Sequence, residues 1–469
     1  MKKTKILCTV GPASNDRRTL KRMFDAGMNA VRLNTAFGTI REYVETMRAA
    51  WSVDDIPVLL DIKGPEIRLK CREPSKIPAG GTLKLGFKGS DPVRLNRRIY
   101  GQLQVGDAIL LNKGKVRTTV IGKKGGHIRI RFKDDCTLKD GGGVNIPGRR
   151  LEIPTLSKQD LDVIRMGKRL GADYVALSFT RNVDDVRNLK KELKGTKIGV
   201  IAKIENQEGV DNAYHILREC DGVMVARGDL GIEIPPERIP WIQKELIGKC
   251  NRMGKISIVA TEMLHTMIEN PEPTRAETSD VANAILDGAD VIMLSGESAI
   301  GKYPVEAVKT MSRIAVEVER HLPIKPLDEE IHHKIPLAIS KAVTAVIETV
   351  DVDKIVVATH TGYTAMLISN FRINKDIIAI TDDPTTKRKL HMVYAIQPVE
   401  HAYFKNKERV LEIAKYCYKE GLIKKDDLVL FTAGVYTHKP TTNLVEIHRV
   451  SELLRYAVRR DTTCPPGKK

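Results

Sequence analysis

Eight short, near-continuous apolar runs recur along the first two thirds of the chain, most of them separated by stretches with helical periodicity. They are KILCTV from Lys5, AVRLNT from Ala30, PVLLDI from Pro57, DYVALSF from Asp173, KIGVIAKIE from Lys197, GVMVARG from Gly222, SIVATEM from Ser257 and VIMLSG from Val291. Strands without polar alternation must be buried on both faces. Alternating with helices such as DDVRNLKKELKG and PERIPWIQKELIGKCNRMGK, eight of them predict an α/β fold, a (β/α)8 TIM barrel.

One interval breaks the rhythm. Between Ile62 and Asp173 the chain reads VRLNRRIYGQLQVGDAILLNKGKVRTTVIGKKGGHIRIRFKDD, short alternating strands with Gly-rich turns, which predicts a small β-barrel lid inserted on the C-terminal face. After PIKPLDEEIHHKIP, a linker entering a helix, the runs KIVVATH, DIIAIT, DLVLFTAG and LVEIHRV predict an open α/β domain of regulatory type. The expected division is 1–68 and 150–325 for the barrel, 69–149 for the lid, 335–455 for the C-terminal domain and 456–469 for a frayed tail.

Composition narrows the function classes. At 469 residues and 42% hydrophobic content, the chain can offset its ordering entropy, so disorder is not its theme. No apolar run approaches the roughly 18 residues of a membrane span, and the start MKKTKILCTVGPAS lacks a secretory h-region. Seven cysteines without a CxxC pair read as reduced thiols, so a soluble cytoplasmic protein with no membrane partner is expected. The net charge of +18 suits anionic metabolites; with 5% aromatics and no dense Lys/Arg block, no nucleic-acid partner is expected.

A barrel of this class builds its site at the C-terminal ends of its strands. Those ends carry Arg32 and Asn34, Asp61, Ser178, Lys203 with Glu205, Arg227 with Asp229, Thr261 with Glu262, and Ser295 with Glu297. Carboxylates there can hold a hard cation such as Mg2+, and the cations can neutralise phosphoryl charge. Lys203 and Glu205, two apart on one strand, point to the same face; a buried ion pair tying the barrel together is the alternative. Asp229 in ARGDLG is a second carboxylate beside Gly228, or a turn residue capping the next helix. In THTGYTA, residues 359–365, Thr359, Thr361, Gly362 and Thr364 form either an effector-phosphate cradle or an ordinary strand-to-helix turn with a Thr cap.

The stretches KILCTVGPAS, LLDIKGPEIR, GVNIPG, AKIENQEGV, DGVMVARGDLGIEIP, ATEML and NPEPTRAETSDVANAILDGADVIMLSGESAIGKYPVEAV resemble the pyruvate kinase family, in one order from about Lys5 to about Val450. The resemblance implies the barrel, lid and C-terminal domain, a homotetramer, and phosphoryl transfer from phosphoenolpyruvate to ADP, giving pyruvate and ATP in glycolysis. It also implies that Glu205 and Asp229 ligate Mg2+ (or Mn2+) and that Lys203 stabilises the transferring group. Arg32, Gly228, Asp229 and Thr261 would contact phosphoenolpyruvate, Arg68 the nucleotide, and Thr261 with Ser295 would relay a proton to the enolate.

The departures from the family pattern cluster. RLNTAFG replaces RLNFSHG and DIKGPEIR replaces DTKGPEIR, so Ala36 and Ile62 stand where oxygen ligands of K+ are usual, and only Asn34 and Asp61 remain of that monovalent-cation site. Hard cations need oxygen donors, so K+ dependence is expected to be reduced or absent, even though Glu66, its usual companion, is present. Phe37 replaces a histidine near the nucleotide. Asn112, Lys113 and Gly114 replace Asp-Asp-Gly, a lysine before GVN becomes Gly142, and the effector loop reads GVYTHKPTTN. An active pyruvate kinase in which Lys113 or another base replaces the lost cation is the first reading. The alternatives are a phosphotransferase with an acceptor other than ADP and a catalytically weak paralogue that binds phosphorylated metabolites.

Overall fold

The computed structural model describes residues 2–112, 114–324, 334–402, 409–434 and 442–463, with side chains as far as 456. The eight apolar runs form strands β1 (Lys5–Thr9), β2 (Ala30–Asn34), β3 (Val58–Ile62), β4 (Tyr174–Leu177), β5 (Gly199–Ile204), β6 (Gly222–Ala226), β7 (Ile256–Ala260) and β8 (Val291–Leu294). They close a barrel in chain order, β8 returning to β1, and every pairing is parallel. Almost every strand residue is buried, as two covered faces require.

The surrounding helices start where the sequence punctuates them. Thr39 with Glu42, Ser157 with Asp160 and Thr274 with Glu277 form reciprocal capping boxes. Helix Lys158–Leu170 stops at Gly171, whose φ of 82° suits a residue without a side chain.

The inserted segment leaves after β3. Its seven-stranded sheet runs Thr82–Leu85, His127–Phe132, Val116–Lys124, Ala108–Leu111, Gly143–Asn145, Ile67–Cys71 and Val93–Leu95. The ends meet, because Gly86 N donates to Val93 O at 2.9 Å and Leu95 N donates to Gly86 O at 3.1 Å, so the sheet curls into a second barrel. Ile128, Ile130 and Phe132 point inward to join Ile109, Leu111 and Val120 in a core separate from that of the large barrel. Arg68 lies in the first strand of this sheet.

The C-terminal domain is a five-stranded sheet in the order β11 (Ile396–Glu400), β10 (Asp376–Thr381), β9 (Lys354–Ala358), β12 (Leu428–Ala433), β13 (Leu444–Arg449); β13 alone is antiparallel. It docks under the floor of the barrel, on residues that precede or open strands. Lys5 Nζ donates to Ile396 O at 2.7 Å, Asp173 pairs with Arg388 at 2.8 Å, and Asp290 pairs with Arg372 at 3.0 Å. With the floor covered, the mouth is left to the lid.

Helix Val450–Thr463 carries the chain through residues 456–463, the start of the stretch read as a tail; 464–469 lie outside the described residues. Lys113, most of GVYTHKPTTN and most of the linker before residue 334 also lie outside them. The six described cysteines are free thiols. Among the described residues no helix is long and apolar enough to cross a membrane.

Candidate active site

Lys203 is the hub of the mouth. It sits near the end of β5, a strand buried along its whole length, where an unpaired ammonium could not remain charged. Its Nζ lies 3.1 Å from Asp61 Oδ1, 2.8 Å from Ser178 Oγ and 3.0 Å from Glu205 Oε1. Asp61 is shared: Arg32 donates to its Oδ2 from Nε and Nη2, both at 2.7 Å, while Arg32 Nη1 donates to Thr9 Oγ1 at 2.7 Å. Five strand ends, β1 to β5, thus converge on one chain of charges.

The electrostatics follow from this geometry. Burial works against the charge of Lys203, but Asp61 and Glu205 outweigh it and hold its pKa above the usual lysine value. Asp61 is likewise buried, yet Lys203 and Arg32 keep its carboxyl below the ordinary range. Glu205 differs: burial pushes it up to about 7, with Lys203 pulling down and Asp229 and Asp61 pushing up. Its Oε2 accepts from Phe179 N at 2.6 Å, while its buried Oε1 has the ion pair with Lys203 and no hydrogen bond.

Glu205 therefore presents an under-satisfied oxygen close to a second carboxylate, Asp229, at the start of helix Arg227–Glu233. Among the described residues no group of three or more His, Cys, Asp or Glu side chains is arranged to hold a metal. Two carboxylates fit Mg2+, which keeps its other positions for water and substrate oxygens.

Thr261 follows β7 with φ of 72°, and Glu262 with 57°, left-handed conformations that cost a β-branched residue energy. Three contacts hold the turn. Gly228 N donates to Thr261 Oγ1 at 2.8 Å, Arg227 Nη2 donates to Thr261 O at 2.7 Å, and Glu297 Oε1 accepts from Leu264 N at 3.1 Å. Arg227 also pairs with Asp280 at 2.7 Å. Arg227 and Glu297, read from sequence as members of the mouth, are its scaffolding. Ser295 Oγ is buried without a hydrogen-bond partner, and Asn34 Oδ1 accepts from Ala36 N at 3.2 Å.

Between the mouth and the lid lies a cleft of about 620 Å3 whose lining includes Phe37, Arg68, Asn112, Lys115, Gly142 and Asp229. Arg68 is held by Glu66 at 2.8 Å and donates to Gly141 O at 2.8 Å. Asn145 Nδ2 donates to Glu233 Oε1 at 3.0 Å, joining lid to barrel. Sequence reasoning missed Thr9 and Glu233. Both act through partners far away in the chain, and no local spacing marks them.

The comparisons with known proteins agree with this geometry. The family described as pyruvate kinase, barrel domain, matches residues 1–308, and pyruvate kinase, alpha/beta domain, matches 337–448. The chain belongs to the pyruvate kinase family. It is 41% identical over 477 residues to a pyruvate kinase of Bacillus licheniformis, covering 97% of this chain and 81% of that protein. A pyruvate kinase of Staphylococcus epidermidis is 40% identical over 474 residues, covering 96% and 81%. The crystal structure of a pyruvate kinase from Cryptosporidium parvum superposes with a TM-score of 0.87 at 33% identity, covering 96% of each chain. The molecule is accordingly a phosphotransferase, and its barrel, lid and C-terminal α/β domain are those of pyruvate kinases.

Proposed function

We propose that this chain transfers the phosphoryl group of phosphoenolpyruvate to ADP without requiring K+. The bond between the enol oxygen and phosphorus breaks, a bond from phosphorus to a β-phosphate oxygen of ADP forms, and the enolate carbon takes a proton to give pyruvate. Such transfer rests on positioning and charge neutralisation. Arg32 and Lys203 supply fixed positive charge for the carboxylate and phosphate of the substrate, and Gly228 N and Thr261 Oγ1 supply polar groups beside them. Arg68 faces the nucleotide. Ser295 Oγ and Thr261 form the proton route to the enolate. Glu205 and Asp229 would hold Mg2+, which supplies Lewis-acid polarisation of the phosphoryl oxygens when bound.

The observation that carries the K+ reading is the capture of Asp61 by Arg32 and Lys203, at 2.7 and 3.1 Å. With Ala36 and Ile62 contributing no side-chain oxygen, the carboxylate that remains from the monovalent site is neutralised by protein cations. Following pyruvate release from phosphoenolpyruvate, Mg2+ and ADP tests the reaction: turnover that depends on all three supports it, and no pyruvate with ADP as acceptor contradicts it.

Assembly as a homotetramer and a cytoplasmic location belong to the same proposal. So does effector-phosphate binding at the turn after β9, where Thr359 Oγ1 accepts from Gly362 N at 3.0 Å and Thr364 Oγ1 donates to Thr442 Oγ1 at 2.9 Å. A cavity of about 400 Å3 beside this turn is lined by Thr361, His360, Lys197 and Lys389.

A further inference from the structure

The lid is unusually basic. Residues 69–149 carry 18 Lys and Arg against 6 Asp and Glu, so two thirds of the chain's +18 excess sits in the segment that overhangs the cleft. In the cleft lining Arg68 is paired with Glu66, Arg149 with Asp107 and Arg181 with Asp185. Lys115 and Arg150 also line the cleft, both exposed, and neither has an ion pair or side-chain hydrogen bond among the described residues.

Lys115 closes the turn that joins strands Ala108–Leu111 and Val116–Lys124. Asn112 with φ of 53° and Gly114 with φ of 78° bend this turn toward the barrel. There a Cβ on Gly114 would come within 3.2 Å of Ile232, in the helix that carries Asp229. The turn abuts the loop of Gly142: Asn112 N donates to Gly143 O at 3.1 Å, and a Cβ at 142 would stand 2.8 Å from Asn112 Oδ1. The position where relatives carry a nucleotide-facing lysine is therefore crowded by Asn112. Lys115, in the adjoining turn, lines the same cleft.

We propose that Lys115 and Arg150 receive the polyphosphate of the nucleotide acceptor, taking over the charge this chain lacks at Gly142. The inference rests on the reading of ADP as acceptor. It makes the altered lid a relocation of the phosphate contact: an ammonium on a flexible stem reaches the anion from the neighbouring turn, and a guanidinium meets it from the segment returning to the barrel.

The test uses the full-length protein, with MgADP binding by calorimetry and initial rates at varied ADP and varied phosphoenolpyruvate. Lys115→Met and Arg150→Met are each expected to raise both Kd and KM for ADP roughly tenfold, the worth of one charge-assisted hydrogen bond, while KM for phosphoenolpyruvate moves less than twofold. Both residues are exposed, so the variants fold with an unchanged Tm. A double variant whose Kd and KM for ADP stay within twofold of the parent overturns the inference while leaving the ADP reading intact. A parent that neither binds nor consumes ADP overturns both.

Discussion

Lys203 Nζ stands 3.1 Å from Asp61 Oδ1, so a lysine near the end of β5 and an aspartate within β3 neutralise one another at the centre of the mouth. This pair sets the charge of the site before substrate arrives. Lys203→Met is expected to abolish turnover, by a factor of about 10^3 or more, since the transferring group loses its fixed cation. Circular dichroism of the variant and its thermal midpoint report on the fold; parental activity contradicts the assignment.

Glu205 holds an oxygen with no hydrogen-bond partner beside Asp229. Glu205→Gln keeps the shape and removes the charge. It is expected to weaken Mg2+ by one to two orders of magnitude, measured by Mn2+ binding in electron paramagnetic resonance as well as by metal titration of the rate. Equal Mn2+ affinity in parent and variant counts against Glu205 as a ligand.

Arg372 is fully buried between the C-terminal domain and the barrel floor. It pairs with Asp290 at 3.0 Å and donates to Asn251 Oδ1 at 2.8 Å and to Gly288 O at 2.5 Å, with its guanidinium 4.8 Å from the Tyr394 ring. Arg372→Met strands the buried Asp290 and is expected to cost about 3–5 kcal/mol. Denaturant unfolding checks this; a loss below about 1 kcal/mol shows that the interface does not depend on the pair.

His391 lies at the same interface. Burial, with Lys5 and Lys387 nearby, pushes its pKa from 6.5 down to about 4. The unfolded chain therefore takes up a proton between those values that the folded one refuses. Stability from this group is present above pH 6.5 and is lost as pH falls toward 4, by on the order of 2–3 kcal/mol. His391→Gln is expected to flatten that part of the stability profile. An identical slope in parent and variant contradicts it.

The barrel was legible because strands buried on both faces leave uninterrupted apolar runs, and the residues of the mouth could be named because they sit at the ends of those runs. Lys203 and Glu205 shared a face by the period of two alone. What spacing could not reveal is pairing across the chain. Thr9 steadies Arg32, Asn145 of the lid binds Glu233 of the barrel 88 residues later, and Arg227 turns away from the mouth to brace the Thr261 turn. Arg372 was equally hidden, because a lone arginine in a sequence reads as surface until Asp290, Asn251 and Gly288 surround it.

The most direct test of the central claim is a rate comparison with phosphoenolpyruvate, Mg2+ and ADP in K+ and in tetramethylammonium buffers of equal ionic strength. Arg32 and Lys203 already neutralise Asp61, so rates within about twofold of each other are expected. A K+ activation of an order of magnitude or more contradicts the account, for it shows that a monovalent cation still enters the site and that Asp61 is free to receive it.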